Sequence, residues 1–244
     1  MLWDIDYTLI GASGVGQRLY RVVFREMFGR ELPGFAPMAG RTDRAIIRDT
    51  LGRAGIPEPG RHLNQFIARL AELAPTGREL AAERSRALPG AAAALAALAQ
   101  YAPGTADGHG PPPLCVVQSV LTGNVRQIAE VKLTAAGLAG YLDLGVGAYG
   151  DAHEVRADLV HVARENAARR YGVSFDGAAT VLVGDTELDV AAALATGARV
   201  VGVATGGTPA SDLAAAGASA VLADLTDTPA TLTAILGSSL STPR

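Results

Sequence analysis

Leu2-Trp3-Asp4-Ile5-Asp6-Tyr7-Thr8-Leu9 sets two carboxylates two residues apart directly behind a short apolar run. Such a run, Leu2 to Ile5, reads as a buried strand, and open α/β sheets gather their ligands at the carboxyl ends of such strands. Spacing of two normally puts both side chains on one face of a strand. If the strand ends at Asp4, the turn swings Asp6 over the same cleft from another side, with one carboxylate as nucleophile and the other as acid/base. A turn made by two capping aspartates would carry the same letters.

Outward from this stretch, five more apolar runs read as strands: Leu114 to Ser119, Leu144 to Ala148, Ala179 to Val183, Arg199 to Ala204 and Ala218 to Leu222. They alternate with Ala-rich helical segments, the pattern of a parallel sheet covered on both faces. More than 100 residues separate the first two strands, too many for one crossover helix. An inserted helical lobe accounts for them. Its helices are expected at Gly14 to Phe28, with Leu19, Val22, Val23 and Met27 at helical spacing, at Thr42 to Leu51 and at Leu63 to Leu73. The chain returns near Leu88-Pro89-Gly90, a helix follows at Ala91 to Gln100, and Tyr101 to Pro113 forms a Gly/Pro loop in which His109 is solvated. The expected division is a core of residues 1–12 and 87–244 with a helical cap of residues 13–86.

Composition removes several function classes. At 244 residues the chain suits a core plus an inserted lobe, and with Gly 29 and Pro 13 it falls below low-complexity composition. Its longest apolar run, Ala91 to Ala99, is about half of a membrane span. A net charge of -3 argues against nucleic acid as the main partner. Asp4 and Asp6 stand where a signal peptide would carry basic residues, so a cytoplasmic protein is expected. Cys115, the one cysteine, is expected as a buried strand thiol, and Lys132 is the one lysine. Gly11 to Gly16 reads GxxGxG, not the GxGxxG of a dinucleotide fold.

Two further clusters follow expected strands. Thr122-Gly123-Asn124 offers a hydroxyl and backbone amides at a helix start, an anion site or a plain N-cap. Val181-Leu182-Val183-Gly184-Asp185-Thr186-Glu187-Leu188-Asp189 ends a buried strand in acids suited to a hard cation, while Thr186 to Asp189 also fits a capping box.

These three clusters, in this order and each at a strand end, resemble the motifs of the haloacid dehalogenase-like (HAD) hydrolase superfamily. The resemblance continues through Leu88-Pro89-Gly90, Gly137-Leu138 and Val201-Gly202-Val203-Ala204-Thr205-Gly206. It implies an α/β fold with a Rossmann-like parallel sheet and an inserted α-helical cap. It also implies a Mg²⁺-dependent phosphatase, of a phosphoglycolate phosphatase-like subgroup, that forms an aspartyl phosphate on a small phosphorylated metabolite as a monomer or homodimer. Asp4 is then the nucleophile and Asp6 the acid/base, while Thr122, Gly123, Asn124 and Arg156 meet the phosphate. Asp4, the Asp6 carbonyl, Asp185 and Asp189 form the metal set. The family's spacing favours Arg156, 29 residues before Asp185, over Lys132, 53 before it, which is left as a solvated or packing residue. Phosphomutase, dehalogenase and a catalytically silent regulator are the alternatives, and the presence of Asp6 disfavours dehalogenation.

Two departures stand out. Tyr7 occupies the family's usual Gly position, so either the turn is strained or Tyr7 reaches substrate. The first strand starts only three residues before Asp4, which suggests a start upstream. In the cap, Gly40-Arg41-Thr42-Asp43 resembles the family's cap loop, and Arg41 is expected either to meet a second anionic group on substrate or to be solvated beside a helix cap.

Overall fold

The computed structural model describes residues 1–103 and 115–237. Its sheet has five parallel strands, β1 (Leu2–Trp3), β2 (Ser119–Val120), β3 (Val181–Gly184), β4 (Arg199–Val203) and β5 (Ala220–Leu222), in the order β2-β1-β3-β4-β5. The chain leaves β1 to one side for β2 and to the other for β3, which opens a crevice beyond the carboxyl end of β1. Apolar residues cover both faces because the strands bury both. On one face α5 (Ala91–Ala99), α6 (Arg126–Ala135) and α10 (Thr228–Leu236) pack Leu95, Leu98, Leu133 and Ile235 around Trp3 and Val183. On the other α7 (Arg156–Tyr171), α8 (Glu187–Ala195) and α9 (Ala210–Ala215) pack Leu159, Val190 and Leu213 around Leu182 and Val200.

The stretch between β1 and α5 holds four helices, α1 (Val15–Phe28), α2 (Asp43–Arg53), α3 (Pro59–Leu73) and α4 (Arg78–Arg84), the last two joined by a short 3-10 turn. They bury a second cluster built on Tyr20, Phe24, Ile47, Leu51, Phe66 and Leu70. Val125 and Ile128, at the start of α6, complete it. The helical layer therefore shares its core with one helix of the sheet layer.

Three strand expectations need correction. Ile5 leaves the ladder, because its carbonyl accepts the amides of Leu9 at 3.0 Å and Ile10 at 2.9 Å to close the turn. Leu144 to Ala148 forms a single bridge, Leu121 to Ala148, since Gly145 and Gly147 give a strand no side chains to pack. The run expected from Leu114 pairs only at Ser119 and Val120; Cys115 is exposed, and Leu114, His109 and most of the expected loop lie outside the described residues. Among the described residues no helix is long and apolar enough to cross a membrane.

Candidate active site

The crevice is a cavity of about 300 Å³ whose wall includes Asp4, Asp6, Thr122, Lys132, Arg156 and Asp185. Asp4 follows β1 directly, and its amide donates to the Val183 carbonyl at 2.8 Å, so the backbone still pairs with β3 while the side chain reaches the sheet end. Asp6 lies at the entry of the turn, bridged to Ile10, and also lines the cavity. The capping-aspartate reading fails, since neither residue caps a helix.

Asp4 Oδ1 ion-pairs with Arg156 Nη2 at 2.8 Å, and the same Nη2 meets Asp189 Oδ1 at 2.5 Å. Asp185 Oδ1 accepts the Thr8 hydroxyl at 3.2 Å. Oxygens of Asp4, Asp185 and Asp189 all lie within 4.8 Å of one another, and all three residues are buried. One guanidinium is too little positive charge for three buried carboxylates. Burial raises Asp4 well above the usual carboxylate range, and Asp189, Asp185 and Asp6 add to the rise against the opposing pull of Arg156. Burial first and Asp189 second push Asp185 up to about 7. A divalent cation would remove this charge imbalance.

The donor set also suits such a cation in shape. A Cβ on Gly206 would stand 1.8 Å from Asp185 Oδ2, so only glycine leaves that oxygen its room. Asp189, expected among the ligands, belongs to the acidic cluster, yet both its oxygens are engaged. Oδ2 accepts the Thr186 amide at 3.1 Å and hydroxyl at 2.6 Å in a complete capping box for α8, and Oδ1 holds Arg156. The expected capping role is present, and its other oxygen backs the guanidinium.

Thr122 is buried and does not cap α6; its Oγ1 accepts the Asn124 side-chain amide at 2.9 Å. Asn124 in turn donates to Asp6 Oδ2 at 2.8 Å. The expectation that Lys132 is solvated or merely packed is overturned. It is buried, and its Nζ donates to both Asp6 oxygens, at 2.8 and 2.7 Å, and to Asn124 Oδ1 at 2.8 Å. Its own helix gave a signal: Lys132 lies on the α6 stripe of Ile128, Ala129 and Leu133, all fully buried.

Arg41 lines the cavity, but its guanidinium is turned along its own segment, ion-paired with Asp49 at 2.6 Å and donating to the Pro37 carbonyl at 3.0 Å. Thr42 caps α2, accepting the Ala45 amide at 3.3 Å. Asp43, next to that cap, is buried, takes the Tyr20 hydroxyl at 2.7 Å and accepts the Val125 amide at 2.7 Å. Tyr7 takes the strained turn, with φ 61, and its half-exposed ring lies on the cavity wall.

The fold is similar to that of solved haloacid dehalogenase-like hydrolases. Residues 156–228, from the start of α7 to that of α10, match the family model described as HAD-hydrolase-like. A predicted phosphatase from Clostridium acetobutylicum is similar over 91% of this chain and 91% of its own, at 17% identity and a TM-score of 0.59. A putative beta-phosphoglucomutase from Bacteroides vulgatus covers 96% of this chain and 88% of its own, at 14% identity and a TM-score of 0.59. A HAD family hydrolase from Deinococcus radiodurans, solved with bound phosphate and sodium, covers 95% and 93%, at 22% identity and a TM-score of 0.51. No curated protein sequence matches the chain.

Proposed function

We propose that the protein is a Mg²⁺-dependent phosphatase of small phosphomonoesters, with residues 13–86 as a cap over a core of residues 1–12 and 87–244. One observation carries the reading: two carboxylates before the β1 turn face one cavity, Asp4 in a buried acidic cluster and Asp6 held apart from it by Lys132 and Asn124. That separation suits two different jobs. Arg156 engages Asp4 Oδ1 and orients the carboxylate, so Oδ2 is the oxygen that attacks phosphorus and forms the aspartyl phosphate. Asp6 gives a proton to the leaving alcohol and takes one from the water that later hydrolyses the acyl phosphate.

Thr122, the Gly123 amide, Asn124 and Arg156 hold the transferring oxygens. Arg156 Nε is a buried donor with no protein acceptor, which fits a phosphate oxygen as its partner. Asp4, Asp185 and the Asp6 carbonyl would hold Mg²⁺, which when bound neutralises the phosphate and reduces its repulsion from Asp4. The test is turnover of p-nitrophenyl phosphate with and without Mg²⁺, for wild type and Asp4→Asn. Wild type is expected to need the metal, and the variant to lose roughly a thousandfold in kcat. A variant within about tenfold of wild type would sink the mechanism.

A further inference from the structure

Three cations line the cavity among the described residues, and each already has a carboxylate. Lys132 is bound to Asp6 at 2.7 Å, Arg156 to Asp4 and Asp189, and Arg41 to Asp49 at 2.6 Å. Apart from Arg41 and Asp43, the wall contributed by the helical layer is built from uncharged groups, chiefly Ser13, Gln17, Met38, Ala39 and Ile46. Gln17 and Met38 face each other at 3.7 Å. The charges left on this side, Asp6 and Asp43, are negative.

We propose that the alcohol half of the substrate is small and uncharged, and that the site discriminates against phosphate esters bearing a second anion. The inference rests on the phosphatase reading and deepens it. A second carboxylate or phosphate entering this cavity loses its hydration and needs a cation in return. To supply one, the site would have to break an existing pair. Arg41 is the nearest to being free, because its partner Asp49 is 41% exposed, yet it also gives up carbonyl contacts to Pro37 and Ala45. At about 300 Å³ the cavity lies at the small end of ligand sites, and the phosphate takes part of it. An uncharged alcohol meets the Gln17 amide, the Ser13 hydroxyl and apolar carbon without disturbing any ion pair. Of the two expectations for Arg41, a second substrate anion or solvent beside a helix cap, its pairing with Asp49 weighs against the first.

The experiment compares kcat/KM of the full chain with Mg²⁺ on p-nitrophenyl phosphate, glycerol 3-phosphate and phosphoglycolate, for wild type and Asp49→Asn. Wild type is expected to favour glycerol 3-phosphate over phosphoglycolate by at least about tenfold. Asp49→Asn frees Arg41 and should narrow that ratio by about threefold or more, through a gain on phosphoglycolate alone. Phosphoglycolate equal to or better than glycerol 3-phosphate in wild type overturns the proposal, and so does a ratio unmoved by Asp49→Asn. Turnover of p-nitrophenyl phosphate with neither natural ester above background also overturns it, since a small uncharged alcohol would then confer no advantage. Failure on all three esters tells instead against the phosphatase reading itself.

Discussion

At the end of β1 the charges sort into two groups. Asp4, Asp185 and Asp189 crowd around Arg156, while Asp6 is drawn away by Lys132 and Asn124 through contacts of 2.7 to 2.8 Å. A carboxylate held by three hydrogen bonds from two donors keeps one orientation, and a proton-transferring group depends on orientation. Lys132→Met should therefore lower kcat by about tenfold or more with KM little changed, and Lys132→Arg should recover part of the loss. Steady-state kinetics on an alkyl phosphate checks this; a near-neutral Lys132→Met would show that the grip on Asp6 is not used. The carboxylates were legible from their place after apolar runs. Lys132 was not, because its charge in the sequence suggested solvent while its position on the buried stripe of α6 puts its Nζ inside.

Among the elements, short β1 and well-capped α8 show how local chemistry fixes a site. The turn after β1 holds Tyr7 at φ 61, a left-handed conformation costing roughly 1–2 kcal/mol for a residue with a side chain. The Thr205 hydroxyl donates to the Tyr7 carbonyl and ties the turn to the loop after β4. Helix α6 is capped from outside its own segment: Asp43 accepts the Val125 amide and the Tyr20 hydroxyl, and burial pushes its carboxyl up to about 6. A raised carboxylate pKa means that the folded state holds the proton longer, so Asp43 costs stability as pH climbs from about 4 to about 6. Relative to Asp43→Asn, wild type should lose up to about 3 kcal/mol over that window and show no further difference above it. Urea melts at pH 4, 5, 6 and 7 measure it; a pH-independent gap between the two proteins would show that Asp43 titrates normally.

Across the whole molecule, the helical layer is stitched to the sheet layer along one seam. The Asp43 amide donates to the Gly123 carbonyl at 2.6 Å, the Arg44 amide to that of Gly150 at 2.9 Å and the Thr42 hydroxyl to that of Glu154 at 2.9 Å; Arg48 also pairs with Glu154. The backbones approach so closely that a Cβ on Gly150 would stand 1.8 Å from the Gly123 oxygen and 2.8 Å from the Asp43 amide. Gly150→Ala should wedge the seam open and lower kcat/KM by about tenfold or more, although Gly150 lies outside the cavity wall. Limited proteolysis between α1 and α2 should speed up in parallel; unchanged kinetics and proteolysis would mean that the seam tolerates the wedge.

The sequence by itself determined the parallel sheet, the helical insertion and the three acidic or hydroxylic stations at strand ends, because strand burial, helix periodicity and capping are local and leave periodic or positional traces. It also placed Thr186 and Asp189 in their capping box. Only the tertiary structure decided the partners. Lys132 meets Asp6 across 126 residues, Asp43 accepts the amide that starts a helix 82 residues on, and Arg41 is paired with Asp49. Ion pairs depend on which side chains the packed layers bring within a few ångströms, and charge in a sequence carries no record of distance.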